Sequence, residues 1–117
     1  MGALDNIRVV DFGHYVAGPV TGMLLADQGA EVIKIDPPDG PGFKTEATAT
    51  WNRGTRSITL DLNRSEELTI ARALVDRADV VIENFRPGVM DRLGLGEAEA
   101  RAVNPGLIYA SMPAFGV

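Results

Sequence analysis

The residues best suited to chemistry lie in residues 14–19, a turn that reads HYVAGP after the first apolar segment. The turn contains His14, several successive backbone N–H groups, and Pro19 at the start of a predicted helix. Backbone N–H groups at such a helix start can hold a phosphate or another anion. The structural alternative is a histidine that simply ends a strand, and spacing alone favours it. The turn is therefore a candidate anion site that needs support from other residues.

Polar side chains also follow other apolar segments of the chain. They are Asp36, Asn84, Arg86 and Ser111. In an open parallel sheet, ligands bind beyond the carboxyl ends of the strands. We therefore expect these side chains to share one edge of the sheet with His14. Burying His14, Asn84 or Arg86 beside apolar strands costs free energy unless each finds a hydrogen-bond partner.

Two of the later candidates also have simple structural interpretations. Asn84 can form an Asx-type turn before Pro87, and Arg92 can be a solvated arginine on a short helix. Spacing alone does not decide between these interpretations and ligand binding.

Asp36 would suit a dinucleotide-binding fold, in which an acidic residue after the second strand binds a ribose 2′-OH. The glycine pattern argues against that fold, because bulky residues stand between Gly13 and Gly18 where a glycine must admit the pyrophosphate. P-loop, zincin, nucleophile-elbow and CxxC motifs are all absent from the sequence. The residues alone thus support an α/β nucleotide-binding fragment and no particular reaction.

Composition excludes several classes of function. The chain of 117 residues has a net charge of −5, with 16 acidic and 11 scattered basic residues, whereas nucleic-acid binding needs a clustered basic excess. The absence of cysteine excludes a disulfide, a thiolate metal site and a cysteine nucleophile, and we expect no bound metal. No apolar run reaches the roughly 20 residues that span a bilayer, and no signal peptide is visible. We expect a cytoplasmic protein that binds neither nucleic acid nor membranes.

Apolar segments rich in β-branched residues alternate with helical patterns. Strands are predicted over residues 7–12, 31–35, 57–62, 79–83 and 107–112, and helices from Pro19, after residue 63 or 65, and over 97–103, with a short turn reaching Arg92. A strand, a helix and a second strand within about 30 residues form a right-handed crossover between parallel strands. The predicted fold class is therefore α/β, a Rossmann-like parallel sheet with flanking helices.

The apolar faces of two helices predict how they pack. In the first helix, Val20, Met23 and Leu24 are expected to face inward, and Gly29 is expected to end the helix. In the second helix, an acidic first turn and an apolar stripe predict an N-terminus near the start of the pattern. The candidate caps are Asn63 and Ser65, and the inward stripe comprises Leu68, Ala71, Leu74 and Val75.

Two segments point to an incomplete domain. Residues 37–55 show neither a helical nor a strand period, and a loop of this length is typical of a lid, a binding segment or a piece that awaits a partner. The apolar residues 113–117 follow a strand that a doubly wound fold would normally cover with another helix. We therefore expect residues 1–117 to be the truncated N-terminal part of a larger fold, with no second domain.

Several segments, taken in order, resemble the family III CoA-transferases, which include formyl-CoA transferase, carnitine CoA-transferase and α-methylacyl-CoA racemase. The matching segments are residues 4–12, 17–19, 29–35, 56–62, 78–88 and 104–109. The likeness covers essentially the whole chain. Several motifs in the same order are far more specific than any one of them.

The resemblance implies a coenzyme A (CoA) site on the Rossmann-like domain. The positions that match the family's contacts are His14, Val16, Ala17, Gly18, Leu60, Asn84, Phe85 and Arg92. In this interpretation the His14 turn holds the pantetheine and phosphate region, Leu60 and Phe85 pack on the adenine, and Arg92 meets a phosphate. Two positions depart from the pattern, because Pro37 and Asn63 stand where some members have basic residues.

The resemblance also implies what the whole enzyme does. Family transferases use an aspartate that attacks an acyl-CoA thioester and forms an anhydride, and the racemases move an α-proton with an acid–base pair. In both cases the catalytic residues are expected beyond Val117, so this chain contains none, and it needs no covalently bound cofactor. Acyl-CoA and a carboxylic acid are the implied substrates, and the parent is expected to be an interlinked homodimer. A racemase fragment, a non-catalytic CoA or nucleotide-binding module, and a dinucleotide-dependent oxidoreductase fragment remain as alternatives.

Overall fold

The computed structural model describes residues 2–39 and 53–115. In these residues, strands and helices alternate along the chain. The elements are β1 (Arg8–Asp11), α1 (Ala17–Asp27), β2 (Glu31–Asp36), β3 (Arg56–Thr59), α2 (Ser65–Asp76), β4 (Val80–Glu83), α3 (Val89–Arg92), α4 (Glu97–Val103) and β5 (Ile108–Ser111). Each predicted strand is present, with ends that differ from the prediction by at most three residues. The predicted 37–55 loop lies largely outside the described residues, as do the last two residues of the 113–117 segment.

The strands form one parallel sheet in the order β3-β2-β1-β4-β5. The predicted α/β class is thus confirmed. The order matches the first five strands of doubly wound nucleotide-binding sheets, and it reverses between β1 and β4. The carboxyl ends of these two central strands therefore flank the crevice where such sheets bind ligands.

Apolar side chains pack on both faces of the sheet because alternate residues of a strand point to opposite faces. One face, which includes Val10, Phe12 and Val81, packs against α2, α3 and α4. The predicted stripe of α2 is confirmed there, with Leu68, Ala71, Leu74 and Val75 all in this cluster. The opposite face, which includes Val9, Val32 and Ile82, packs against α1.

Helix α1 packs through a different face from the predicted one. Its buried residues are Gly18, Pro19 and Gly22, whereas Leu24 is 55% exposed. The reason is close approach to the sheet, because a Cβ atom on Gly22 would lie 2.9 Å from Asp11 Oδ2. The helix is apolar on several faces, so an apolar pattern could not identify the one that contacts the sheet. Its predicted end is confirmed, since Gly29 follows it with a φ of +104°.

The predicted cap of α2 is wrong. The N-cap residue is Arg64, which makes no side-chain capping hydrogen bond. Instead, Glu67 Oε1 in the first turn accepts a hydrogen bond from the Asp61 N–H at 3.1 Å, and the Asn63 N–H donates to Asp61 Oδ1 at 3.0 Å. The helix start is therefore stabilised by carboxylates on either side of it rather than by Asn63 or Ser65.

Candidate functional site

The turns after the two central strands are joined by one side chain. Asn84, directly after β4, accepts a hydrogen bond from the His14 N–H through Oδ1, and its Nδ2 donates to the His14 carbonyl, both at 2.7 Å. The Asn84 amide thus binds the backbone of the β1 turn, rather than forming the Asx-type turn considered for it. Asn84 fixes the position of His14 at the point where strand order reverses.

The His14 ring lies against Phe85, the next residue after Asn84. The ring centroids are 4.9 Å apart and the planes are tilted by 55°, an arrangement that aromatic pairs favour over face-to-face stacking. Burial lowers the pKa of His14, the positive charge of Lys34 lowers it further, and Asp36 opposes the shift. His14 is therefore a neutral imidazole at neutral pH and offers one hydrogen-bond donor and one acceptor.

A cleft of about 220 Å³ opens beside this ring pair. Its apolar wall consists of Phe12, Ile35, Pro37, Pro38, Leu60, Leu62, Phe85, Val89 and Leu93, and its polar residues are His14, Asp36, Asp61, Asn63 and Arg92. Sites that enclose a drug-sized ligand measure roughly 300–1,000 Å³. The cleft is therefore suited to one ring system of a larger ligand, with polar groups at its rim.

Four of the predicted site residues line this cleft together. They are His14, Leu60, Phe85 and Arg92. Leu60 leaves the end of β3, is 4% exposed, and is held by a hydrogen bond from its N–H to the Asp36 carbonyl at 2.9 Å. Arg92 ends α3 and is exposed to solvent at the rim, so its solvated interpretation and its proposed contact with a phosphate are compatible.

The other four predicted contacts, Val16, Ala17, Gly18 and Asn84, do not line the cleft, and Asn84 instead binds the backbone of His14. Val16 is 45% exposed and Ala17 is also exposed. Gly18 is buried against the preceding turn, where a Cβ atom would lie 2.5 Å from Gly13 Cα. These three residues shape the start of α1, and a ligand contact for them stays a prediction.

The two positions that depart from the family pattern both line the cleft. Pro37 and Asn63 offer no charge there, and among the described lining residues Arg92 is the cation beside the carboxylates of Asp36 and Asp61. Asp36 Oδ1 is buried and, among the described residues, has no hydrogen-bond partner. The positive charge that the described lining residues offer a ligand is therefore that of the exposed Arg92.

Arg86 and Ser111 lie at the carboxyl edge of the sheet, as predicted, but apart from the cleft that His14 lines. They line a second cavity of about 280 Å³ beside β4 and β5. There the buried Glu83 accepts hydrogen bonds from Ser111 Oγ at 2.5 Å and from the Phe85 N–H at 3.0 Å. Tyr109 donates to the Leu95 carbonyl at 2.9 Å, and burial, aided by nearby carboxylates, raises the pKa of Tyr109. The polar residues at the carboxyl edge thus form two separate groups.

Sequence reasoning missed three buried charged residues near these groups. They are Asp11, Lys34 and Glu83. The available signal was a charged residue within an apolar strand, which buried strands tolerate only when the charge has partners. Residues 2–39 and 53–115 contain no group of three or more acidic or histidine side chains that could hold a metal ion. In the same residues, no helix is long and apolar enough to cross a membrane.

The fold and the cleft define an α/β protein with a candidate ligand site at the carboxyl ends of a parallel sheet. The profile of CoA-transferase family III matches residues 4–117. The chain belongs to that family, as its motifs predicted.

Individual relatives agree with this assignment. The chain is 48% identical over 112 residues to CoA-transferase/lyase DddD of Marinomonas sp., covering 96% of this chain and 13% of that protein. It is 42% identical over 130 residues to succinyl-CoA:mesaconate CoA-transferase of Haloarcula hispanica, covering 99% and 33%. The orthorhombic crystal structure of probable fatty acyl-CoA transferase of Mycobacterium tuberculosis superposes with a TM-score of 0.92 at 46% identity, covering 99% and 34%. The chain thus spans about a third or less of the length of these relatives.

Proposed function

We propose that residues 1–117 form the N-terminal, CoA-binding part of an enzyme that transfers CoA between an acyl-CoA and a carboxylic acid. The observation that carries this proposal is the cleft at the strand-order reversal, where His14, Leu60, Phe85 and Arg92 come together in a chain that belongs to CoA-transferase family III. The name of the Haloarcula relative supports this substrate class, because it specifies a CoA thioester, succinyl-CoA, and a dicarboxylic acid, mesaconate.

The cleft suits the nucleotide end of CoA. The apolar wall, with Leu60 and Phe85, gives the adenine ring a surface on which to pack. Arg92 at the rim gives a phosphate a charge-assisted hydrogen bond. The neutral His14 donates or accepts one hydrogen bond without adding charge, so phosphate affinity rests mainly on Arg92.

The chemical step needs a residue outside this chain. In the proposed reaction, an aspartate carboxylate attacks the thioester carbonyl and the C–S bond breaks. CoA departs as the thiolate, and an acyl-aspartyl anhydride remains on the enzyme. The thiolate then attacks the aspartyl carbonyl, which gives an enzyme-bound CoA thioester and the free donor acid. The acceptor carboxylate then attacks this thioester, which expels CoA thiolate and forms a second anhydride. The thiolate attacks the acceptor carbonyl of that anhydride, which gives the new acyl-CoA and the free aspartate.

Three aspartates of this chain have structural contacts. Asp11 accepts a hydrogen bond from the Gly13 N–H, Asp61 accepts one from the Asn63 N–H, and Asp91 packs against Gly96. Because the family resemblance implies catalytic residues beyond Val117, we expect the 117-residue chain alone to transfer no CoA. Dimer formation and a cytoplasmic location stay predictions from the resemblance.

Calorimetric titration of the 117-residue chain with CoA tests the binding proposal. Arg92→Gln is expected to weaken binding at least about tenfold, because a hydrogen bond to a charged group is worth about 1.5–3 kcal/mol and about 1.4 kcal/mol is a factor of ten. Phe85→Ala is expected to weaken binding by removing the ring surface. Arg101→Gln is the matched control, since Arg101 pairs with Glu97 on the outside of α4. Wild-type affinity in both cleft variants would refute this placement of CoA.

A further inference from the structure

Two oppositely charged side chains lie buried beneath the His14 turn, outside the cleft. Asp11, the last residue of β1, is 1% exposed, and Lys34 in β2 is 4% exposed. They are partners in the parallel register, so both side chains leave the same face of the sheet, the face covered by α1. Buried charges of this kind persist only where partners compensate for the lost solvation.

Both side chains bind the same backbone residue. Asp11 Oδ1 accepts a hydrogen bond from the Gly13 N–H at 2.6 Å, and Lys34 Nζ donates to the Gly13 carbonyl at 3.4 Å. The next residue, His14, has its N–H and carbonyl bound by Asn84. All four polar backbone groups of two successive residues are thus held by side chains from three adjacent strands or strand ends.

The glycines around the Asp11 carboxylate leave it little freedom to move. A Cβ atom on Gly13 would lie 2.8 Å from Asp11 Oδ1 and 2.5 Å from Gly18 Cα, and one on Gly22 would lie 2.9 Å from Asp11 Oδ2. The turn and the first turns of α1 therefore pack directly on the carboxylate. A shift of Asp11 would shift the turn that carries His14.

The charges of this group also reach the cleft. Burial raises the pKa of Asp11, while the Gly13 N–H and Lys34 oppose the shift and Asp36 adds to it. Lys34 also acts on His14, whose pKa burial and this ammonium together lower. Asp61 and Arg92 are the other charged residues that line the cleft with His14 and Asp36.

We propose that Asp11 and Lys34 are positioning residues, which hold the peptide groups of Gly13 so that the His14 ring stays against Phe85 at the wall of the cleft. Their importance for ligand affinity rests on the proposed function. Their effect on the position of the ring does not, because it can be measured in the free protein.

The chain has one histidine, so NMR of the 117-residue chain reports on this ring alone. Lys34→Met is expected to change the His14 Hε1 chemical shift, as the ring moves relative to Phe85, and to raise the pKa of His14. Lys34→Arg, which keeps a donor and the charge, is expected to restore both values towards wild type. The surface control Arg101→Gln should change neither value. A wild-type His14 shift and titration in Lys34→Met would overturn the proposal.

A second measurement needs no variant and remains decisive if Lys34→Met does not fold. In the wild-type protein, the Gly13 amide proton is expected to titrate together with the Asp11 carboxyl group, because the two share a hydrogen bond. A Gly13 amide proton chemical shift that does not change as Asp11 ionises would overturn the proposal. If these NMR results hold but the wild-type chain binds no CoA, the proposed function fails while the positioning role stands.

Discussion

Each of the two central strands of the sheet ends in a buried carboxylate, but the two carboxylates have different partners. Asp11 ends β1 and Glu83 ends β4, both are buried, and each accepts a hydrogen bond from the N–H two residues later, at Gly13 and Phe85 respectively. Beside Asp11 lies a buried ammonium, whereas beside Glu83 lies the hydroxyl of Ser111.

The two turns are therefore stabilised by different kinds of interaction. The β1 turn depends on a balance of buried charges, in which the loss of one partner leaves the other uncompensated. The β4 turn depends on hydrogen bonds from neutral donors, in which a loss leaves unsatisfied dipoles. The two turns are joined by the hydrogen bonds between Asn84 and the His14 backbone. A substitution that displaces either turn should therefore change the shape of the same cleft.

The largest effect is expected for Asp11→Ala, which should lower the free energy of unfolding by about 3–5 kcal/mol, because it leaves the buried Gly13 N–H without its acceptor and removes a negative charge that interacts with the buried Lys34 ammonium. Urea denaturation followed by circular dichroism measures this loss. If Asp11→Ala lowers the free energy of unfolding by less than Glu83→Ala does, the buried charges do not make the β1 turn the more sensitive of the two.

A smaller loss is expected for Glu83→Ala, about 1–3 kcal/mol, because the variant leaves the Phe85 N–H and the Ser111 hydroxyl without their acceptor. Ser111→Ala is the matched companion and should cost about 1 kcal/mol, since it removes one donor only. The same denaturation experiment ranks the three variants. If Ser111→Ala proves as costly as Glu83→Ala, the carboxylate does not organise this turn.

The subtlest effect concerns pH. The pKa of Asp11 is raised in the folded state by burial, so the folded protein binds this proton more tightly than the unfolded chain does. Stability from Asp11 is then fully present below its unfolded pKa, near 3.8, and is lost as pH rises through the folded pKa. Asp11→Asn cannot titrate, so wild type should lose stability relative to this variant over that pH window. Denaturation midpoints measured across the window check this, and a constant difference between the two proteins would contradict it.

Much of the fold was predictable because it follows from local patterns. The β-branched segments located the strands, the stripe from Leu68 to Val75 located the buried face of α2, and Gly29 marked the end of α1. The face of α1 was not predictable, since its apolar residues surround the helix and contact with the sheet is made through Gly18 and Gly22. Close approach of backbones depends on missing side chains, which an apolar pattern does not register.

The candidate site shows the same division. Motif order identified the family and pointed to His14, Leu60, Phe85 and Arg92, which the fold places around one cleft. The strand pattern also placed Ser111 and Arg86 at the same edge of the sheet as His14, and at that edge the structure puts them in a separate cavity. Polar residues at one edge of a sheet become neighbours only when their strands and turns are adjacent.

The sequence by itself determined the family, the α/β class and four of the residues that line the cleft, because these are encoded in motifs and in local periodicity. Tertiary structure alone decided that Asp11 and Lys34 share Gly13, that Glu83 binds Ser111, and that Asn84 holds His14 rather than its own turn. The physical reason is register. Partners from different strands meet only through the alignment of the sheet, and no spacing along a single segment specifies that alignment.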